Sequence, residues 1–279
     1  MSRRRWICML AAGVAVTVVC TVAIAQRGRG YRREFRPGDA VDRGGVPEWK
    51  NDEQFKDDVF VFARVRYSSD DRGWGRGWEK WRTDYPDADL NFSFRLQQLT
   101  TIESDPNGRV VELTDDSLFD YPLLYLVEPG LMHLEEDEVL ALRKYCLNGG
   151  FLWVDDFWTD WEWDNFYQNI KRVFPDREPE ELPLEHPIFH CVYEFKEKPQ
   201  VPSIHAWYDG FKAERGTEGQ QHYRAIKDDK GRIMVLSCHN TDIGDGWERE
   251  GMDAGYFKEY SEKLSYPMGI NIVTYAMTH

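Results

Sequence analysis

The length, charge and cysteine content of the chain restrict what it can be. Its 279 residues carry 49 acidic and 35 basic side chains, for a formal net charge of −14. Such a surface repels phosphates, which argues against sequence-independent nucleic-acid binding and docking on anionic lipid. The cysteines include no C-x-x-C pair, and no metal site or cofactor is predicted. Cys146, Cys191 and Cys238 leave open either one disulfide or free thiols.

The first 25 residues resemble an export signal. Arg3 to Arg5 precede an apolar run from Trp6 to Val22, and Ala23-Ile24-Ala25 is a small-x-small cleavage signature. The run is long for a signal peptide and marginal for a membrane span, so a cleaved signal and an uncleaved anchor both stay open. We therefore expect an exported, periplasmic or otherwise extracytoplasmic protein that contacts the membrane only through this segment, and only if the segment is uncleaved.

A linker and one large domain are expected after the signal. Residues 26–56 are rich in Arg, Gly and Pro with little periodicity, which is typical of a linker. Residues 57–279 are enough for one domain. Residues 175–225 are rich in Pro, Glu and aromatic side chains and are the least regular part. They are predicted to be an insertion in the domain.

Strand and helix patterns alternate through this domain. The predicted strands cover residues 59–67, 110–113, 123–127, 151–154 and 233–237, and the predicted helices cover residues 90–102, 135–147, 157–174 and 256–277. The second of these helices has acids at its start and Asn148-Gly149-Gly150 as a left-handed stop. The alternation predicts an α/β fold with a doubly wound, mostly parallel sheet in a flavodoxin-like three-layer sandwich.

Polar side chains gather where the predicted strands end. In open α/β sheets ligands bind at the carboxyl edge, so these side chains form the candidate site. We expect Arg66 to pair with Asp155 or Asp156, because the ends of adjacent strands lie about 5 Å apart. Such pairing would lower the pKa of the aspartate. The candidate residues are Arg66, Tyr67, Glu128, Asp155, Asp156, His239, Asn240 and Asp242, with His186 added from the region of the insertion.

Several candidates also have ordinary structural interpretations. Asp155 and Asp156 are adjacent on an extended segment and should point to opposite faces, with one of them capping the next helix. His186 precedes a proline and is a turn residue first, a ligand or base second. Cys238 lies in an apolar strand, where cysteine usually acts as a small buried hydrophobe.

Short motifs in a fixed order resemble one known family. They are RY at 66–67, TDYPDADLNF at 83–92, YPLLYL at 121–126, LRKYCLNGGFLWVDD at 142–156, HPIF at 186–189 and YPMGINIVTYAMTH at 266–279. This set is similar to the exported bacterial family called domain of unknown function 4159, whose members are similar in fold to class I glutamine amidotransferases. The resemblance covers about residues 57–279. It implies that fold and an extracytoplasmic location, without an established reaction.

Two functional hypotheses follow. Amidotransferases use a cysteine at a strand-to-helix elbow, and this chain has Asp155 and Asp156 there, so glutaminase activity is not expected. The first hypothesis is a noncatalytic domain that binds a ligand, an envelope protein or a glycan at the carboxyl edge. The alternative is a hydrolase of envelope glycans or amides that uses Asp155 or Asp156, with Glu128, Glu162 or Asp242 as the second carboxylate. The 11 tryptophans suit sugar stacking, but packing is expected for most of them.

Overall fold

The computed structural model describes residues 43–55, 58–69, 79–217 and 219–279. The predicted signal segment and most of the predicted linker lie outside these residues. Residues 42–279 form one compact unit. Within the described ranges, no helix has the length and apolar character needed to cross a membrane.

One mixed sheet organises the described residues. It has seven strands in the order β3-β1-β4-β6-β9-β8-β7; the first five pair in parallel, β8 runs antiparallel to β9, and β7 runs antiparallel to β8. Numbered along the chain, the parallel strands follow the order 2-1-3-4-5, which is the flavodoxin-like arrangement. Strands β2 and β5 pair separately. The strands are β1 (Ala63–Arg66), β2 (Ser68–Ser69), β3 (Arg109–Glu112), β4 (Leu123–Val127), β5 (Met132–His133), β6 (Phe151–Phe157), β7 (Glu180–Glu181), β8 (His222–Lys227) and β9 (Ile233–His239).

Helices cover both faces of the sheet, which confirms the doubly wound fold. They are α1 (Asp87–Leu99), α2 (Glu136–Leu147), α3 (Thr159–Val173), α4 (Ile204–Tyr208), α5 (Asp245–Glu248), α6 (Ala254–Tyr256) and α7 (Tyr266–Thr278). The predicted closing helix is divided, because residues Phe257–Ser265 between α6 and α7 are π-helical. The start of α2 follows from its sequence: Glu135 and Glu138 form a capping box.

Buried side chains pack against both faces of the sheet. Phe92 of α1 packs against Phe62, and both share one buried cluster with Tyr125, Trp153 and residues of α7. On the other face, the Cys146 thiol of α2 contacts the backbone oxygen of Met234 at 3.7 Å. Side chains alternate between these faces along each strand, as the two-residue period requires.

Most of the described tryptophans serve this packing, as expected. Trp81, Trp158 and Trp247 are fully buried, and Trp247 lies against Phe92 and Trp153. Trp161 is different, with 61% of its surface exposed at the start of α3. The loops are therefore fixed to the sheet by aromatic side chains, which stabilises the connections that carry the site.

The region 175–225 contains β7, the short helix α4 and the start of β8. Because β8 runs antiparallel to β9, its first residue His222 pairs with His239 at the end of β9. The connection that leads into β8 therefore reaches the same edge as the ends of the parallel strands. This reversal brings side chains from the predicted insertion to the candidate site.

Candidate functional site

The connection after β1 is held by one buried arginine. Arg64 is fully buried and binds Asp89 of α1 with Nε 3.0 Å from both carboxylate oxygens. Its Nη1 atom donates to the backbone oxygens of Trp81 at 3.1 Å and Thr83 at 2.9 Å. Arg64 thus fixes the segment immediately before Asp84 against the sheet.

Three carboxylates from separate segments meet at the carboxyl edge. We call Asp84, Asp156 and Asp242 the acid cluster, because one oxygen of each lies within 4.8 Å of the others. Asp84 and Asp242 belong to the connections after β1 and β9, and Asp156 is the penultimate residue of β6. Asp156 and Asp242 are 3% and 4% exposed. The Oδ2 atom of Asp84 is buried and has no hydrogen-bond partner among the described residues.

Burial dominates the electrostatics of the acid cluster. It raises the pKa of Asp84, Asp156 and Asp242, and neighbouring carboxylates raise each further. For Asp242 those neighbours include Asp156 and Asp84 themselves. Buried carboxylates at this spacing cannot all be ionised without compensation, so they either hold protons or surround a cation.

A buried ion-pair network borders the acid cluster. Glu128, at the end of β4, accepts from Lys80 Nζ at 2.9 Å and from Arg215 Nη2 at 2.7 Å. Arg215 also binds Glu162 of α3 and lies 4.0 Å from Asp156 Oδ1. Tyr67 donates its hydroxyl to the backbone oxygens of Val127 and Glu128 at 2.8 and 2.7 Å. The turn that carries Glu128 is therefore fixed from both sides.

Backbone strain concentrates around these side chains. Six non-glycine residues with positive φ occur in the described part of the chain, and left-handed backbone costs about 1–3 kcal/mol for such residues. All six lie at or beside the acid cluster and its ion pairs. They are Asp84, Glu128, Asp156, Thr159, Arg215 and Asn240, with φ between 52° and 66°. Such clustering of left-handed backbone is common at active and binding sites.

Asp155 lies beneath the acid cluster and is completely buried. Its Oδ2 atom accepts from the Tyr125 hydroxyl at 3.1 Å and from the backbone N–H of Gly244 at 3.0 Å. Burial raises its pKa to about 7. A Cβ at Gly244 would lie 2.6 Å from the Tyr125 oxygen and 3.2 Å from Asp84 Oδ2, so only glycine permits this approach.

Two predictions about this edge are wrong. Arg66 binds Glu79 and Glu112 at 3.1 and 3.5 Å instead of an aspartate, because the end of β1 lies beside the outer strand β3. Neither Asp155 nor Asp156 caps α3. Instead, the backbone N–H of Trp158 donates to Oε2 of Glu162 at 2.7 Å. Glu162 lies one turn into α3 and takes the place of an aspartate cap.

His239 and Asn240 support the site through the backbone of Thr159. His239 contacts the oxygen of Thr159 through Nε2 at 3.0 Å, and Asn240 Oδ1 accepts from the Thr159 N–H at 3.2 Å. His239 is buried against Phe157, and burial lowers its pKa to about 4. It therefore acts as a neutral structural side chain at ordinary pH.

His186 and the cysteines do not contribute chemistry at the acid cluster. His186 Nδ1 accepts from the N–H of Ile188 at 3.3 Å and its ring packs on Tyr275, which confirms the turn interpretation. Cys146, Cys191 and Cys238 are free thiols. Burial raises the pKa of Cys238 well above its usual value, so it is not an activated nucleophile.

A separate open cavity of about 550 Å³ lies at the opposite edge of the sheet. Its lining includes Gly149, which precedes β6, and Arg232, which precedes β9. The acid cluster contributes nothing to this lining. The buried carboxylates and this cavity are therefore distinct features of the described molecule.

Sequence reasoning missed Asp84, Lys80 and Arg215. Asp84 and Lys80 lie in the connection after β1, which the carboxyl-edge rule could have included. Arg215 could have been found only by recognising that β8 is antiparallel, because that reversal determines which edge its connection reaches. The rule therefore led to the edge at which the acid cluster lies, but to an incomplete set of its side chains.

Comparison with known proteins places the chain in a family. The model of the family described as domain of unknown function (DUF4159) matches residues 61–277. The chain belongs to this family. The DUF4159 match includes the whole acid cluster together with Glu128, Glu162 and Arg215. No curated protein matches the chain, so function has to be argued from the site itself.

Proposed function

We propose that this DUF4159 protein is a binding protein whose acid cluster takes a divalent cation. The observation that carries the proposal is the convergence of Asp84, Asp156 and Asp242, with one oxygen of each within 4.8 Å of the others. The buried, unpartnered Oδ2 atom of Asp84 supports it. A cation among these oxygens would compensate their burial and their mutual repulsion.

The chemistry of the donors favours a hard cation. All three donors are carboxylate oxygens, which suit Ca²⁺, Mg²⁺ or Mn²⁺ better than metals that prefer nitrogen or sulfur. Two oxygens on one ion can be separated by at most twice the metal–oxygen distance, which is about 4.6–5.2 Å for Ca²⁺. The oxygens of the acid cluster, within 4.8 Å of one another, suit this spacing better than the limit of about 4.2 Å for Mg²⁺, so we favour Ca²⁺.

Calorimetric titration of the full chain with Ca²⁺, Mg²⁺ and Mn²⁺ tests this function. We expect binding of Ca²⁺ by the wild type and at least about tenfold weaker binding by Asp242→Asn, because one charged ligand is lost. Asp228→Asn is the matched control, since Asp228 lies in the turn before β9 and pairs with Arg232. Equal affinities in the wild type and Asp242→Asn would contradict the proposal.

A hydrolase is the second candidate, favoured by the pKa of Asp155 of about 7. Binding is better supported because Asp155 is fully buried and held by Tyr125 and Gly244, out of reach of a substrate. Assays of the wild type and Asp155→Asn against envelope glycans and peptides distinguish the two. Turnover by the wild type that Asp155→Asn abolishes would favour the hydrolase.

We also propose that the protein is exported and that its ligand or partner belongs to the cell envelope. The arginines, apolar run and small-x-small signature of residues 1–25 support export. The flavodoxin-like strand order supports the carboxyl edge as the binding edge, and we propose that the fold is also similar to that of class I glutamine amidotransferases. Mass spectrometry of the protein from its native cells should find an N-terminus near Gln26, and an intact segment recovered from membranes would favour the anchored form.

A further inference from the structure

Arg215 is the one cation whose described contacts join the acid cluster to both flanking glutamates. Its guanidinium binds Glu128 at 2.7 Å, binds Glu162, and lies 4.0 Å from Asp156. The side chains of these three acids are each less than 10% exposed, whereas that of Arg215 is 29% exposed. The acids are thus buried, and the arginine lies on the more exposed side of them.

Arg215 lies on a different kind of segment from the acids that it contacts. The acids belong to β4, β6 and α3 or to their immediate ends, which are part of the packed sheet and its helices. Arg215 belongs to the connection between α4 and β8, which has no regular secondary structure at this residue. A side chain on such a connection can leave the acids without disturbing the sheet.

We propose that Arg215 is an internal cation that competes with the divalent cation for the carboxylates at this edge. This inference rests on the proposed function, because the competitor is the cation proposed for the acid cluster. A bound dication near Asp156 repels a guanidinium only 4.0 Å from that side chain. Coupling between two sites is reciprocal. The factor by which Arg215 lowers the affinity for the cation therefore equals the factor by which the bound cation weakens the binding of Arg215 to the carboxylates.

The first test compares Ca²⁺ affinity in the wild type, Arg215→Gln and Arg215→Lys. Removing a positive charge at this distance should tighten Ca²⁺ binding by at least about tenfold in Arg215→Gln. Arg215→Lys retains the charge and should stay close to the wild type, which separates the charge from a loss of packing. Equal affinities in the wild type and Arg215→Gln would overturn the competition and leave the proposed function standing.

The second test measures the position of Arg215 directly. Trypsin must take the arginine side chain into its own specificity pocket to cut the Arg215–Gly216 bond, so an engaged guanidinium protects that bond. We expect slow cleavage there without Ca²⁺ and several-fold faster cleavage with it. Lys230, exposed in the turn between β8 and β9, is the control site and should be cut at an unchanged rate.

The outcomes distinguish the two proposals. If trypsin cuts Arg215–Gly216 as fast as Lys230–Gly231 without Ca²⁺, Arg215 is not held by the acids. That result would overturn the competition whether or not Ca²⁺ binds. No Ca²⁺ binding by any variant would overturn the proposed function, and the competition with it. Tighter binding by Arg215→Gln together with cation-dependent cleavage supports both.

Discussion

Replacing Arg64 with methionine should lower the free energy of unfolding by about 3–5 kcal/mol, because it removes one partner of a buried ion pair. Arg64 and Asp89 have side chains that are 0% and 3% exposed, so the carboxylate left behind would be buried without compensation. The backbone oxygens of Trp81 and Thr83 would also lose their donor. Urea denaturation followed by tryptophan fluorescence measures the loss.

Arg66→Met is the matched control, two residues later on the same strand. The Arg66 side chain is 32% exposed and its partners Glu79 and Glu112 are more exposed still. Exposed pairs of this kind contribute about 0–1 kcal/mol, so this variant should unfold nearly as the wild type does. Comparable losses in both variants would show that Arg64 does not hold the connection to Asp84 as described.

The carboxyl of Asp155 should make the protein less stable as the pH rises. Its pKa is about 7 in the folded protein against an ordinary value of 3.8, so the folded state binds the proton more tightly than the unfolded state. Its stabilising contribution is complete below pH 3.8 and is lost as the pH rises through about 7. Between pH 5 and pH 8 this loss amounts to about 3 kcal/mol.

The measurement must separate Asp155 from His239, which acts in the opposite direction. Burial lowers the pKa of His239 from 6.5 to about 4, so its contribution increases as the pH rises through this range. The difference between wild type and Asp155→Asn cancels that effect. From pH 5 to pH 8, we expect the free energy of unfolding of the wild type to fall by about 3 kcal/mol relative to that of Asp155→Asn. A difference that does not vary with pH would contradict the raised pKa.

Local sequence determined the framework of this protein. The apolar runs at residues 123–127 and 151–154 lie in buried strands, and the acids and glycines around α2 define its two ends. These features follow from residues that are neighbours in the chain, since period, capping and turn chemistry act over a few residues. The same reasoning located the edge at which the acid cluster lies, because parallel strands place their ends together.

The pairing of charges was decided only by the tertiary structure. Arg64 and Arg66 share a face of β1, yet one is buried on Asp89 and the other lies near the outer strand with Glu112. Sequence spacing cannot distinguish them, because their burial depends on the neighbouring strands and on the connection that covers them.

The partners of Glu128 illustrate the same limit over a longer range. Lys80 and Arg215 are 48 and 87 residues away in the chain, and they meet at Glu128 because β8 reverses direction and the connection after β1 folds back over the sheet. The sequence by itself therefore determined the strands, the helices and the edge where the polar side chains gather. Only the packing of distant segments decided which charges are buried together, because burial is a property of the assembled sheet and not of any one segment.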